Sequence, residues 1–101
     1  MACDTQVVKI HQDGTVDTEK CALSKRAKHR ILWISESDRA YKVRFTEKGS
    51  PFGDSEFAVP PGGWAESREI REDAKVDTYP YDTYVPGTGE VAADPGVIIQ
   101  E

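Results

Sequence analysis

Apolar and polar residues alternate along this chain with a period of two more often than with the 3.6-residue period of a helix. The clearest case is residues 40–45, where Tyr41, Val43 and Phe45 fall on one face and Lys42 and Arg44 on the other, the pattern of a strand buried on one side. Residues 29–35 are apolar and β-rich around Trp33, residues 56–59 form a shorter run, and residues 96–99 close the chain with Val97, Ile98 and Ile99. Residues 77–85 are rich in Tyr and Thr, and alternation puts Tyr79 and Tyr81 on one face and Tyr84 on the other. Near the start, Val7, Val8 and Ile10 precede Asp13-Gly14 and Val16 follows, which predicts a first hairpin, since Asp-Gly is a strong two-residue turn signal. Residues 21–28 are basic and read as an irregular connection. Gly49-Ser50-Pro51-Phe52-Gly53 and residues 86–94 read as loops, and Pro60-Pro61-Gly62-Gly63 as a turn, because it supports neither a helix nor a ladder. Residues 65–70 carry helix-forming types but no apolar stripe, only Ile70, and are assigned to a strand. About eight short strands punctuated by turns predict an all-β sandwich or barrel.

At 101 residues the chain is expected to be a single domain, 1–101. The longest apolar run is Ile31-Leu32-Trp33-Ile34, so neither a membrane-spanning helix nor the apolar core of a signal peptide is expected. That absence predicts a cytoplasmic protein, or a periplasmic or secreted one if the sequence is the trimmed form of an exported chain. A net charge of −5 and a pI near 5.0 argue against nucleic acid as a partner. Charge is uneven: residues 20–44 hold eight basic residues against two acids, whereas residues 45–101 hold four against twelve. Such a dipolar chain could steer a partner, or simply present one basic and one acidic surface.

The chemistry-bearing residues are sparse. No Gly-x-Ser-x-Gly elbow is present, the Gly62-Gly63 and Gly87-Thr88-Gly89 glycines precede no helix, and Glu66, Glu69, Glu72 and Asp73 lack the spacing of a calcium loop. No enzymatic activity is expected. Met1, Cys3, His11, Cys21 and His29 are the only soft donors, all near the start. Cys3 and Cys21 are 18 residues apart; in an oxidising compartment they could form a disulfide worth about 2–4 kcal/mol, and otherwise both stay reduced. Cys3, His11, Cys21 and His29 form a candidate set for copper or another soft ion, though their spacing matches no zinc pattern. Trp64, at the exit of the Pro-Pro-Gly-Gly turn, is a candidate anchor for a partner; the alternative is that it folds back over the end of the sandwich.

The order of these elements resembles the cupredoxins, or blue copper proteins. Ile31-Leu32-Trp33-Ile34-Ser35 followed by Ala40-Tyr41-Lys42-Val43-Arg44-Phe45 resembles that family's apolar strand and its Pro-His-x-apolar-x-Phe strand. Asp77-Thr78-Tyr79-Pro80-Tyr81-Asp82-Thr83, continuing to Asp94-Pro95-Gly96-Val97-Ile98-Ile99, resembles its Gly-Thr-Tyr-x-aromatic-x-Cys strand, ligand loop and closing strand. Phe57-Ala58-Val59 with the turn that follows resembles the intervening strand. The resemblance spans roughly residues 5–100 and implies a Greek-key β-sandwich of about seven or eight strands. It places Tyr41, Thr83, Pro86 and Asp94 at the family's four ligand positions. A type 1 site needs two His and one Cys with a weak axial ligand, and residues 30–101 contain no His, Cys or Met. The expectation is therefore a cupredoxin-like sandwich with no blue copper site and no cofactor, a binding or accessory module for a protein or small molecule. The alternative is a metal-handling protein that uses the N-terminal Cys and His residues.

Overall fold

The alternation of residues 40–45 is realised as a strand in a computed structural model, which describes residues 5–45, 49–67 and 69–101. Among the described residues nine strands follow in order: β1 (Thr5–Ile10), β2 (Lys20–Ser24), β3 (Arg30–Ser35), β4 (Tyr41–Phe45), β5 (Glu56–Val59), β6 (Trp64–Glu66), β7 (Thr78–Tyr84), β8 (Val91–Ala93) and β9 (Gly96–Gln100). They form two sheets, one of three strands in the order β1-β3-β6 and one in the order β2-β9-β7-β4-β5 with β8 also paired to β7. The fold class is an all-β sandwich. Among the described residues no helix is long and apolar enough to cross a membrane.

Four segments differ from their sequence reading. Among the described residues of 65–70, expected to be a strand, only Ala65 and Glu66 lie in one, β6. Residues 21–28, expected to be irregular, begin with β2, which pairs in parallel with β9 from Lys20↔Gly96 to Ser24↔Gln100. The burial of Cys21 and Leu23 between exposed neighbours is a strand pattern that the surrounding basic residues obscure. The Asp13-Gly14 turn forms, with His11 N–H donating to the Thr15 carbonyl at 2.7 Å. Its return, however, is only the single bridge Ile10↔Val16, and β1 pairs instead in parallel with β3. In the region expected to be a loop, Val91–Ala93 folds back on β7 with a register shift at Thr83 and Tyr84.

Trp33 joins the two sheets. It is fully buried, and its ring lies 5.0 Å from Phe57, 5.7 Å from Tyr81 and 6.4 Å from Phe45, all on the larger sheet. The indole N–H donates to the Tyr81 hydroxyl at 3.3 Å, so the polar end of each ring is satisfied inside the core. Phe45 extends the cluster to Phe52 at 5.9 Å. Tyr79 and Tyr81 face inward as the alternation predicts. Tyr84 faces outward, beneath the Arg44 guanidinium at 4.4 Å and donating to Glu56 at 3.0 Å.

Removing the indole empties the centre of the aromatic cluster and orphans the Tyr81 hydroxyl. Trp33→Ala is expected to lower stability by about 3–5 kcal/mol, read from urea denaturation, with Trp33→Phe costing clearly less. A Trp33→Ala loss no larger than that of an exposed substitution would contradict this account of the core.

Candidate functional site

Two regions bear on function, one closed and one open. The closed region lies where β4 begins and β7 ends. Val43 of β4 stands opposite Thr83 of β7, so Tyr41, two residues before Val43, shares the inner face with Thr83. Both side chains are buried, and both donate into the turn that follows β1. The Tyr41 hydroxyl donates to the Gln12 carbonyl at 3.0 Å, and the Thr83 hydroxyl to the Gly14 carbonyl at 2.7 Å. Gly14 has φ +87°, and a Cβ there would lie 2.3 Å from Ala92 Cβ and 2.8 Å from the Tyr41 ring. Only glycine fits, on conformational and on steric grounds alike. The turn backbone thus stops the end of the core, between the Tyr41 ring and β8.

The other two candidate ligand positions stand apart from these hydrogen bonds. Pro86 opens the turn of the β7–β8 hairpin, which is closed by Val85 N–H donating to the Glu90 carbonyl at 3.0 Å. Asp94 is exposed after β8 and lines a hollow of about 340 Å³ with Thr15, Val16 and Glu19. The structure brings Tyr41 and Thr83 together around one turn; Asp94 makes no hydrogen bond or ion pair among the described residues.

The N-terminal soft donors are dispersed. His11 lies 3.3 Å from Glu36 just beyond the end of β1, whereas His29 precedes β3 and accepts the Ser24 N–H on Nδ1 at 3.0 Å. Because β1 and β3 run parallel from Thr5↔Arg30 to Ile10↔Ser35, the two imidazoles sit at opposite ends of the sheet, about 20 Å apart at the strand rise of ~3.3 Å per residue. Cys21 is buried in the core. Burial, and secondarily the Asp17 charge, pushes its thiol up, whereas a metal ligand must be a thiolate. Cys3 lies outside the described residues, and with it any Cys3–Cys21 bond. Among the described residues no three His, Cys, Asp or Glu side chains are grouped to hold a metal.

The open region is the outer face of the three-stranded sheet. The ladder sets Val7 beside Leu32 and Leu32 beside Glu66 in one row, then Lys9 beside Ile34 and Ile34 beside Trp64 in the next. Trp64 is 63% exposed and Val7 47%, whereas Trp33 is 0%. Leu32, Ile34, Trp64 and Glu66 border a shallow hollow of about 270 Å³ with Gly62 and Gly63. Trp64 therefore does not fold back over the end of the sandwich. The outer face of the larger sheet is different in kind. There Lys42 pairs with Glu56 at 3.2 Å and Arg44 with Asp82 at 3.5 Å, and the Tyr84 hydroxyl, then Lys42, hold the Glu56 carboxyl below the usual range.

No protein-family model matches the sequence, and no curated protein matches it. Solved structures do. A methionine-to-alanine mutant of amicyanin in its Cu(I) form matches with a TM-score of 0.68 at 16% identity, over 99% of this chain and 86% of that one. The reduced Cu(I) form, at pH 4, of a proline-to-glycine mutant of amicyanin matches with a TM-score of 0.68 at 14% identity, over the same shares. An oxidised methionine-to-lysine mutant of amicyanin matches with a TM-score of 0.63 at 16% identity, again over 99% of this chain and 86% of that one.

The fold is that of a cupredoxin.

At such identities the likeness concerns the fold alone. Within this cupredoxin fold the donors do not fit type 1 copper. The end of the core offers a phenol and an alcohol that both donate to backbone carbonyls, and neither a thiolate nor an imidazole. Sequence reasoning singled out Tyr41, Thr83 and Trp64 as candidates. It missed Gly14 as a stopper, although the Asp-Gly dipeptide marked a glycine with a special conformation. It missed Ala92, Leu32 and Ile34 as participants, which only the strand register reveals.

Gly14→Ala is expected to cost about 2–4 kcal/mol, the sum of a left-handed backbone and an overpacked contact. Ala92→Gly in that background should recover part of the loss, as a double-mutant cycle in denaturant would show. In a Cys3→Ser background, Cys21 should react with a disulfide reagent at mildly alkaline pH far more slowly than the urea-unfolded chain. Its protonated form is favoured by folding, so this contribution holds below the unfolded thiol's pKa and is lost as pH rises through the folded one. Equal rates in the folded and unfolded chain would contradict the burial.

Proposed function

We propose that this chain is a non-enzymatic binding module that uses the cupredoxin fold without type 1 copper, and that it recognises a partner through the outer face of the three-stranded sheet with Trp64 as anchor. The observation that carries the reading is the 63% exposure of Trp64 on a face that also presents Val7, Leu32 and Ile34. A contiguous apolar patch marks an interaction site far better than scattered apolar residues do, and Trp is prominent among residues that dominate binding energy. Tyr41, Thr83, Pro86 and Asp94 occupy the positions that hold the ligands in copper-bearing relatives, with the first two recruited to close the end of the core.

Two experiments test the two halves. Copper(II) titration of the purified chain should give no intense visible charge-transfer band. A small library that combines Tyr41→His, Thr83→Cys, Asp94→Met and a His scanned through residues 85–87 should contain folded members with such a band, since a short covalent thiolate–copper bond generates it. A uniformly colourless folded library would refute the positional correspondence. For the surface, an environment-sensitive apolar dye (bis-ANS) should bind the folded chain at submicromolar protein, and Trp64→Ser should abolish most of that signal without altering the far-ultraviolet dichroism. A signal indifferent to Trp64→Ser would refute the recognition face.

A further inference from the structure

We infer that the partner seated on this face is a second copy of the same chain, docked face to face about a two-fold axis parallel to the strands; the inference rests on the reading of the face as the recognition surface. The face has three columns. The central strand β3 contributes Leu32 and Ile34, β1 contributes Val7 and Lys9 on one side, and β6 contributes Glu66 and Trp64 on the other. Apolar side chains thus run down the middle, a cation stands on one edge, and an anion and an indole stand on the other.

A two-fold axis along β3 sets Leu32 against Leu32 and Ile34 against Ile34 of the second copy and exchanges the outer columns. Lys9 of each copy then falls over Trp64 of the other, with that copy's Glu66 two residues further along the same strand. The ammonium gains an aromatic face and a carboxylate together. Val7 falls against the methylenes of Glu66, a contact that long charged side chains make readily. Symmetry repeats both contacts, as an isologous interface requires. A two-fold axis across the strands instead sets Lys9 against Val7 and Trp64 against Glu66, and leaves every charge unmatched. Lys9 and Glu66 form no ion pair with another described residue, whereas Arg30 in the adjoining row is engaged by Glu69 at 3.3 Å. Two sheets packed this way lie about 10 Å apart with strand directions within roughly 30°, which the short β6 edge allows.

Sedimentation equilibrium of the full chain from micromolar to millimolar concentration tests this. A reversible dimer is expected. Trp64→Ser, Lys9→Glu and Glu66→Lys should each raise its dissociation constant about tenfold or more. The double variant Lys9→Glu with Glu66→Lys should bind more tightly than either single variant but more weakly than the parent, because the exchanged charges again meet across the axis while the cation over the Trp64 ring is lost. A chain that stays monomeric throughout, a dimer indifferent to Trp64→Ser, or a double variant no better than the single ones would overturn the second copy as occupant. Monomeric behaviour with Trp64-dependent dye binding would leave the recognition face standing for a different partner. Dye binding indifferent to Trp64→Ser would remove the face itself.

Discussion

The burial of Trp33 is the constraint on which the rest of the molecule turns. A three-stranded sheet has little apolar area with which to hold a larger one, and in this chain one indole reaches Phe45, Phe57 and Tyr81 across the interface, beside the buried Val8, Ile10 and Ile31. Strand alternation then leaves no freedom for its neighbours. With Ile31, Trp33 and Ser35 turned inward, Leu32 and Ile34 must point to the other side. A polar pair there would have made an ordinary solvated face. Leucine and isoleucine, continued by Val7 on one side and Trp64 on the other, make a contiguous apolar surface instead. The open apolar face follows from the inward Trp33 combined with the choice of residues at the alternate positions.

Much of the architecture was legible because period-two alternation is a local signal. β4 and β7 announce themselves this way, β3, β5 and β9 by short apolar runs, and Tyr79, Tyr81 and Tyr84 partition between faces as alternation requires. What was not legible is non-local. The parallel pairs β1–β3 and β2–β9 join segments about 25 and 76 residues apart, and no turn signal encodes a partner at such distance. The Asp13-Gly14 dipeptide encodes its own turn faithfully but says nothing about whether the chain continues as a strand. The same limit governs the sites. Trp64 could be singled out from its place after a Pro-Pro-Gly-Gly turn, but its alignment with Ile34 and Lys9 exists only in the folded register.

The charge asymmetry along the sequence also changes meaning once folded. Three members of the basic central segment meet acids from the second half: Arg30 with Glu69, Lys42 with Glu56, Arg44 with Asp82. Exposed pairs of this kind contribute little stability, typically about 0–1 kcal/mol. Their effect is to cancel a single-signed field and to leave the larger sheet's outer face polar and internally matched. That contrast makes the opposite face distinctive, since the molecule's two broad surfaces are unequal in their need for a partner.

Hydrogen bonds to the turn that follows β1 close one end of the core. The carbonyls of Gln12 and Gly14 are turned toward the core, where an unpaired polar group costs about 1–3 kcal/mol. The hydroxyls of Tyr41 and Thr83 supply the missing donors, and Gly14 fills the remaining space against Ala92. Each hydroxyl is held in place by the carbonyl to which it donates. At these two positions the hydroxyls are committed to the turn carbonyls. Any variant that regains coordinating groups must first give up these hydrogen bonds, so ligand affinity and metal-free stability oppose each other there. The outer sheet face carries no such conflict. Val7, Leu32, Ile34 and Trp64 point away from the core and can specialise in recognition without disturbing the packing that Trp33 and the Gly14 turn maintain.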